Sequence, residues 1–205
     1  MKLYGFQTDS RPAALAYIVS DQLETISHYA REEYSAETMV ELDIKKSKAK
    51  NWPKILYATN ALSAIFIRED LRELFDQFNG IRFFPAVVKN SEAKFLQPDG
   101  APKYFWVKIE KEVKVISIVN EAGEELPFYE EFGETVYNTG ATSGTARYIT
   151  VDRDSLDPDT DFFYLDRICH TAKRYCTERV VENLGKYVGK NMLFYPERED
   201  GRLFI

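Results

Sequence analysis

Residues 39–44 alternate strictly: Val40, Leu42 and Ile44 share one face, Met39, Glu41 and Asp43 the other. Period two predicts a half-buried strand. A different period governs residues 71–78, where Leu71, Leu74, Phe75 and Phe78 stand at i, i+3, i+4 and i+7. That spacing predicts a helix with one apolar stripe. Gly80 follows as its stop, a residue that tolerates positive φ. Val180, Val181, Leu184 and Val188 predict a second striped helix starting at Thr177. An earlier helix is predicted from a capping-box start at Asp21 and Glu24 to about Tyr34, with Leu23, Ile26 and Ala30 on one face.

The two striped helices belong to one phrase written twice, at Phe66–Pro85 and Tyr175–Pro196. Glu69 matches Glu178, Glu73 matches Glu182, Phe83 matches Phe194 and Pro85 matches Pro196. Each copy reads as strand, helix, strand, with the glutamate pair on the outer helix face. This is a packing module used twice rather than a site of chemistry. Pro85 inside its strand predicts an edge or a bulge. Further strands are predicted at 2–6, 147–152 and 162–168. Residues 101–120 predict two more, joined by the polar step Glu110-Lys111-Glu112. The interspersed elements predict an α+β fold, a mostly antiparallel sheet with a few packed helices. The length of 205 residues fits one domain over 1–205, or two half-domains at about 1–50 and 51–205.

Charge narrows the function. The net charge of −6 argues against direct nucleic-acid binding, which needs a basic face. Five lysines in residues 45–54 read as an exposed connector. No apolar run reaches the ~20 residues that span a bilayer, and the first twenty residues do not form a signal peptide. A cytoplasmic protein with no membrane partner is expected. Cys169 and Cys176 then read as free thiols.

Candidate chemistry is sparse. Cys169 and His170 are neighbours in a strand-like stretch, so they face opposite ways and form no dyad. His28 reads as an ordinary partly exposed histidine. The Gly-rich GATSG at 140–144 lacks the lysine of a phosphate loop. Asp157, Asp159 and Asp161 alternate as calcium ligands do, but Phe162 and Ile168 stand where that loop needs Gly and Glu. No catalytic residue, metal or cofactor is expected. What remains is acid: six Glu and no Lys or Arg between Glu121 and Glu134, and six Asp against one Arg between Asp152 and Asp166. Phe128, Tyr129, Phe132, Phe162 and Tyr164 lie among these carboxylates. Carboxylates steering a basic partner and rings anchoring it would make a binding surface. The candidate contact residues are Glu124, Glu125, Phe128, Tyr129, Glu130, Glu131, Asp154, Asp157 and Asp159. The competing reading of both stretches is two solvated loops.

The chain also resembles the bacterial immunity proteins of polymorphic toxin systems, in their α+β group formerly of unknown function. The resemblance runs over about Ile55–Pro196. It is carried by NALSAIFIREDLRELFDQF, IRFFPAVV, the aromatic-rich PKYFWVKIEKEVKVISIVN taken as a hairpin, and the closing DFFYLDRI…YCTERVVENLGKYVGKNMLFYP. Arg68-Glu69 and Thr177-Glu178 replace the family's Ser-Glu helix starts, and Asn120 replaces an Asp that often closes the hairpin. The resemblance implies no catalytic residues. It implies a non-enzymatic protein that binds and neutralises a cognate toxin, in an oligomeric state left open. The alternative is a metal-dependent hydrolase or transferase using the Asp-rich loop 152–161.

Overall fold

The computed structural model describes residues 1–8, 16–18, 38–45, 47, 49–58, 64–131, 134–138, 147–166, 168–169, 174–187 and 192–204. The helix expected at 21–34, His28, His170, Val188, Phe132 and the GATSG stretch lie outside them. Along the first part of the chain run β1 (Leu3–Thr8), β2 (Ala16–Ile18), β3 (Val40–Ile44), β4 (Ile55–Ala58), β5 (Ala64–Arg68), α1 (Arg72–Asp76) and β6 (Ile81–Ser91). Then come β7 (Tyr104–Ile109), β8 (Glu112–Val113), β9 (Val115–Asn120), β10 (Tyr129–Glu131), β11 (Glu134–Asn138), β12 (Arg147–Val151), β13 (Phe162–Leu165), β14 (Ile168–Cys169) and β15 (Arg174–Thr177). The series ends with α2 (Glu178–Leu184), β16 (Met192–Pro196) and β17 (Leu203–Phe204). The fold is α+β, with sheets largely antiparallel; among the described residues the parallel pairings are those of β2 with β4, β3 with β6, β8 with β13 and β11 with β14.

The repeated phrase is a repeated topology. β5 and β6 do not pair with each other; β7 lies between them, antiparallel to both. In the second copy β15 and β16 flank β1 in the same way. The registers agree position by position. Ile67 faces Phe105 as Cys176 faces Tyr4, and Pro85 faces Phe105 as Pro196 faces Tyr4. On the outer flank Ile55 faces Ile67 as Phe162 faces Cys176. Even the helix entries match: the Glu69 amide donates to the Lys103 carbonyl and the Glu178 amide to the Lys2 carbonyl, both at 3.0 Å. The equivalent stretches are therefore 3–91 and 104–196, and their first strands are exchanged. β7 opens the second stretch and completes the sheet of the first; β1 opens the first and sits inside the sheet of the second.

Each half has its own core. The first half closes as a barrel in the order β2-β3-β6-β7-β5-β4. Its interior holds Val40, Leu42, Ile44, Phe66, Phe84 and Trp106, so the alternation in β3 points inward as its sequence requires. Pro85 lies just before β3 joins at Ala86. There β6 pairs with β7 alone, so the missing N–H costs no ladder bond on the β3 side. The second core lies between the sheet β16-β1-β15-β13-β8 and the sheet β17-β12-β9, and holds Leu3, Ile118, Ile149, Phe163, Tyr175 and Leu203. A third cluster joins the halves, with Ile67, Phe75 and Phe78 from one side and Phe6, Phe162, Val180 and Leu184 from the other.

Three expectations are corrected. Residues 104–120 form no hairpin, because both edges of β7 are taken by β5 and β6, while β8 and β9 cross to the other half and pair with β13 and β12. The first striped helix is shorter than its stripe: a 3-10 turn at Glu69–Leu71 precedes α1, and Phe78 lies beyond it. Phe78 is still buried, and Leu74 is only half-buried. Phe162, read as a surface ring, is 1% exposed. It meets Phe6, Phe75 and Phe78 at centroid distances of 5.6, 6.2 and 5.6 Å.

Candidate functional site

The acidic stretch 152–161 follows β12 and folds by satisfying its own backbone. Asp152 caps a 3-10 turn at Arg153–Ser155 by accepting the Asp154 amide at 3.1 Å. The Ser155 hydroxyl donates to the Asp152 carbonyl at 2.7 Å and accepts the Lys114 amide at 3.1 Å. Asp157 accepts the Asp159 amide at 3.2 Å. Leu156 turns inward and is buried in the second core. Asp154, Asp157 and Asp159 stay exposed.

The far end of this loop is fixed by Asp161, whose side chain is 4% exposed. One carboxylate oxygen accepts the Asn79 amide at 3.0 Å and the Arg179 guanidinium at 2.7 Å. The other accepts the Thr177 hydroxyl at 3.2 Å. Thr177 gives its side chain to this contact and makes no side-chain cap on α2. Arg179 also donates to the Gln77 carbonyl, and the Asn79 side chain to the Asp159 carbonyl, both at 2.9 Å. Asp161 therefore ties the end of the first copy to the start of the second. The matching positions in the first copy are Lys54 and Asp70, which form an ion pair of opposite polarity at 3.2 Å. Arg68 also holds Asp70, and this hydrogen bond keeps the Asp70 carboxyl well below the usual carboxylate range.

A cleft of about 390 Å³ opens beside Asp161, between the loop and the start of α2. Asn79, Asp159, Thr177, Glu178, Arg179 and Glu182 are among its walls. The sequence pattern puts Glu178 and Glu182 on an outer helix face. That reading is right about exposure, but nothing in the pattern places this face beside residue 159, because the approach is made by the pairing of β13 with β15 and by the bonds of Asp161 to Thr177 and Arg179. Carboxylates in this arrangement attract cationic groups and accept hydrogen bonds. Among the described residues no group of three or more His, Cys, Asp or Glu side chains gathers to hold a metal ion. Cys176 is a free thiol, buried, and burial pushes its pKa up, so it is a poor nucleophile.

The other acidic stretch leaves from the opposite end of the same ladder. β9 ends at Asn120, paired with Arg147, whereas β12 ends at Val151, paired with Val115. The two acidic segments are thus separated by the length of β12, roughly 15 Å. Glu124 and Glu125 are exposed. A turn with Gly123 at φ 84° positions Glu124, whose amide and carboxylate both bond the Asn120 side chain, at 2.9 and 2.7 Å. Phe128 and Leu126 are half-buried and pack against the second core. Tyr129, Glu130 and Glu131 form β10, with Tyr129 opposite Val136 and Glu131 opposite Glu134; their side chains lie outside the described set. Tyr164 is half-buried. The expected mixture of carboxylates and exposed rings is therefore absent from the 152–161 end, where the charges stand without anchoring aromatics.

Among the described residues no helix is long and apolar enough to cross a membrane. No protein-family model matches the chain, and no curated protein matches it significantly.

Proposed function

We propose that this chain is a non-catalytic immunity protein that binds and neutralises a cognate bacterial toxin in the cytoplasm, with the 152–161 loop and the adjoining Glu178 and Glu182 as its contact surface. The observation that carries the proposal is that Asp154, Asp157 and Asp159 project from a loop whose backbone is held by Asp152, Ser155 and the buried Asp161. A surface ordered before binding loses little conformational entropy on association. Its charge suits a toxin whose catalytic groove is basic because its substrate is nucleic acid or nucleotide. The resemblance over Ile55–Pro196 points the same way. The hydrolase alternative draws less support, since Asp157 accepts its own loop's amide and Asp161 is engaged by Arg179.

The test is binding kinetics against the toxin encoded beside this protein, at low and high salt. Reversal of Asp154, Asp157 and Asp159 to Lys slows association by about tenfold or more with a smaller change in dissociation, because exposed charges act chiefly on the encounter. An association rate indifferent to the reversals and to salt removes this loop from the interface. Stoichiometric divalent metal bound to the pure protein revives the enzyme reading.

A further inference from the structure

The two halves share a plan but close differently. In the first, β3 pairs with β6 from Val40–Ala86 to Ile44–Ser91 and seals the barrel. In the second, β12 and β16 occupy the matching places and do not pair, because β16 stops at Pro196. The edge of β12 is covered instead by β17, which among the described residues pairs Tyr148 with Phe204 and Ile149 with Leu203. The difference extends inward. Trp106 lies inside the first barrel; its counterpart in the second half is Gly5, since Phe66 faces Trp106 as Tyr175 faces Gly5. A Cβ on Gly5 would lie 3.6 Å from the Tyr175 ring and 3.7 Å from the Phe204 carbonyl oxygen. The volume given to an indole in one half is shared in the other by Tyr175 and the strand following Pro196.

We infer that residues 197–204 form a strap that closes the second half and opens as a unit, without unfolding the rest. Its attachments among the described residues are local, beginning with the Glu197 amide, which donates to the Leu3 carbonyl at 2.9 Å. Leu203 is 0% exposed and is its buried apolar anchor. Arg153 ties it from outside, donating to the Glu197 carboxylate and to the Met1 carbonyl. Arg198 lies 4.4 Å from the Tyr148 ring centroid, and Phe204 packs edge-on to Tyr148 at 5.9 Å. Within the strap the Arg198 amide donates to the Arg202 carbonyl and the Gly201 amide to the Arg198 carbonyl, both at 2.9 Å, so it is internally bonded and moves together. Tyr175 shares a core with Leu203, and its hydroxyl is buried with no hydrogen-bond partner among the described residues. A buried unpaired hydroxyl favours any state that hydrates it. A short terminal strand paired on one edge belongs at the low-stability end of the structure, whereas β1 and β15 are paired on both edges. The inference is independent of the proposed function.

Hydrogen exchange on the full chain tests it directly. Strap amides that are protected in the closed form exchange at least ~100-fold faster than those of Tyr175 and Cys176, and trypsin under native conditions cuts after Arg198 and Arg202 while the remainder stays intact. Arg153→Gln raises the strap's exchange rate severalfold and leaves that of Cys176 unchanged. Strap exchange at the same rate as β15, or tryptic cleavage that appears only with global unfolding, overturns the inference.

Discussion

Asp161→Ala tests whether the two copies of the phrase are joined where the hydrogen bonds place the joint. The substitution removes acceptors for the Asn79 amide, the Arg179 guanidinium and the Thr177 hydroxyl at once. An amide left without a partner costs about 1–3 kcal/mol when buried, and because Asn79 is exposed the low end, about 1 kcal/mol, applies. Arg179 retains half its side-chain exposure, so water replaces much of its lost partner and the pair itself contributes about 1 kcal/mol. Thr177 is buried at 3% exposure, and its stranded hydroxyl adds about 1 kcal/mol. The sum is about 3 kcal/mol, which for a chain of this size lowers Tm by roughly 6–12 °C. Thermal unfolding and urea titration measure the loss. A cycle combining Asp161→Asn with Arg179→Ala isolates the ion pair from the rest. A loss below about 1 kcal/mol for Asp161→Ala refutes the reasoning, since the carboxylate would then be dispensable at the joint.

Gly80→Ala loses at least about 2 kcal/mol by urea titration, because the residue sits at φ 88° and its Cβ would meet the Phe162 carbonyl oxygen at 2.2 Å. Leu184→Ala loses about 2–5 kcal/mol in the same assay, and Leu74→Ala less than half of that, since Leu184 is fully buried and Leu74 is not. Asp70 has its pKa depressed in the folded chain by Arg68, so its stabilisation is complete above the unfolded carboxyl value and is lost as pH falls through the folded one. Asp70→Asn therefore destabilises by under about 1 kcal/mol at pH 6, and the difference from wild type vanishes as acid titration proceeds below about pH 4. The exchanged strands predict that fragments 1–97 and 98–205 remain unfolded apart and regain native circular dichroism when mixed, each supplying the other's central strand.

Local pattern by itself determined several of the elements. Alternation at 40–44 gave a strand with Val40, Leu42 and Ile44 inward, because a pleated strand with one buried face needs that period. The repeated phrase gave two strand-helix-strand units, and Gly80 gave the stop between helix and strand. The exposure of Asp154, Asp157 and Asp159 was also legible, since unpaired carboxylates stay in water. Pairing was not legible. The polar step at 110–112 looks like a hairpin turn, but a strand's edges are taken by whichever partners the whole sheet supplies, and β5 and β6 occupy both edges of β7. Contacts between distant residues decided the acidic surface as well. Phe162 follows an acidic loop in sequence and yet lies at the centre of a ring cluster drawn from both halves. Asp161 looks like its neighbours Asp157 and Asp159 until Asn79 and Arg179, from opposite copies, close around it. Local periodicity encodes which face of an element is apolar; only the packed tertiary structure specifies what that face meets, because burial is a property of two surfaces together.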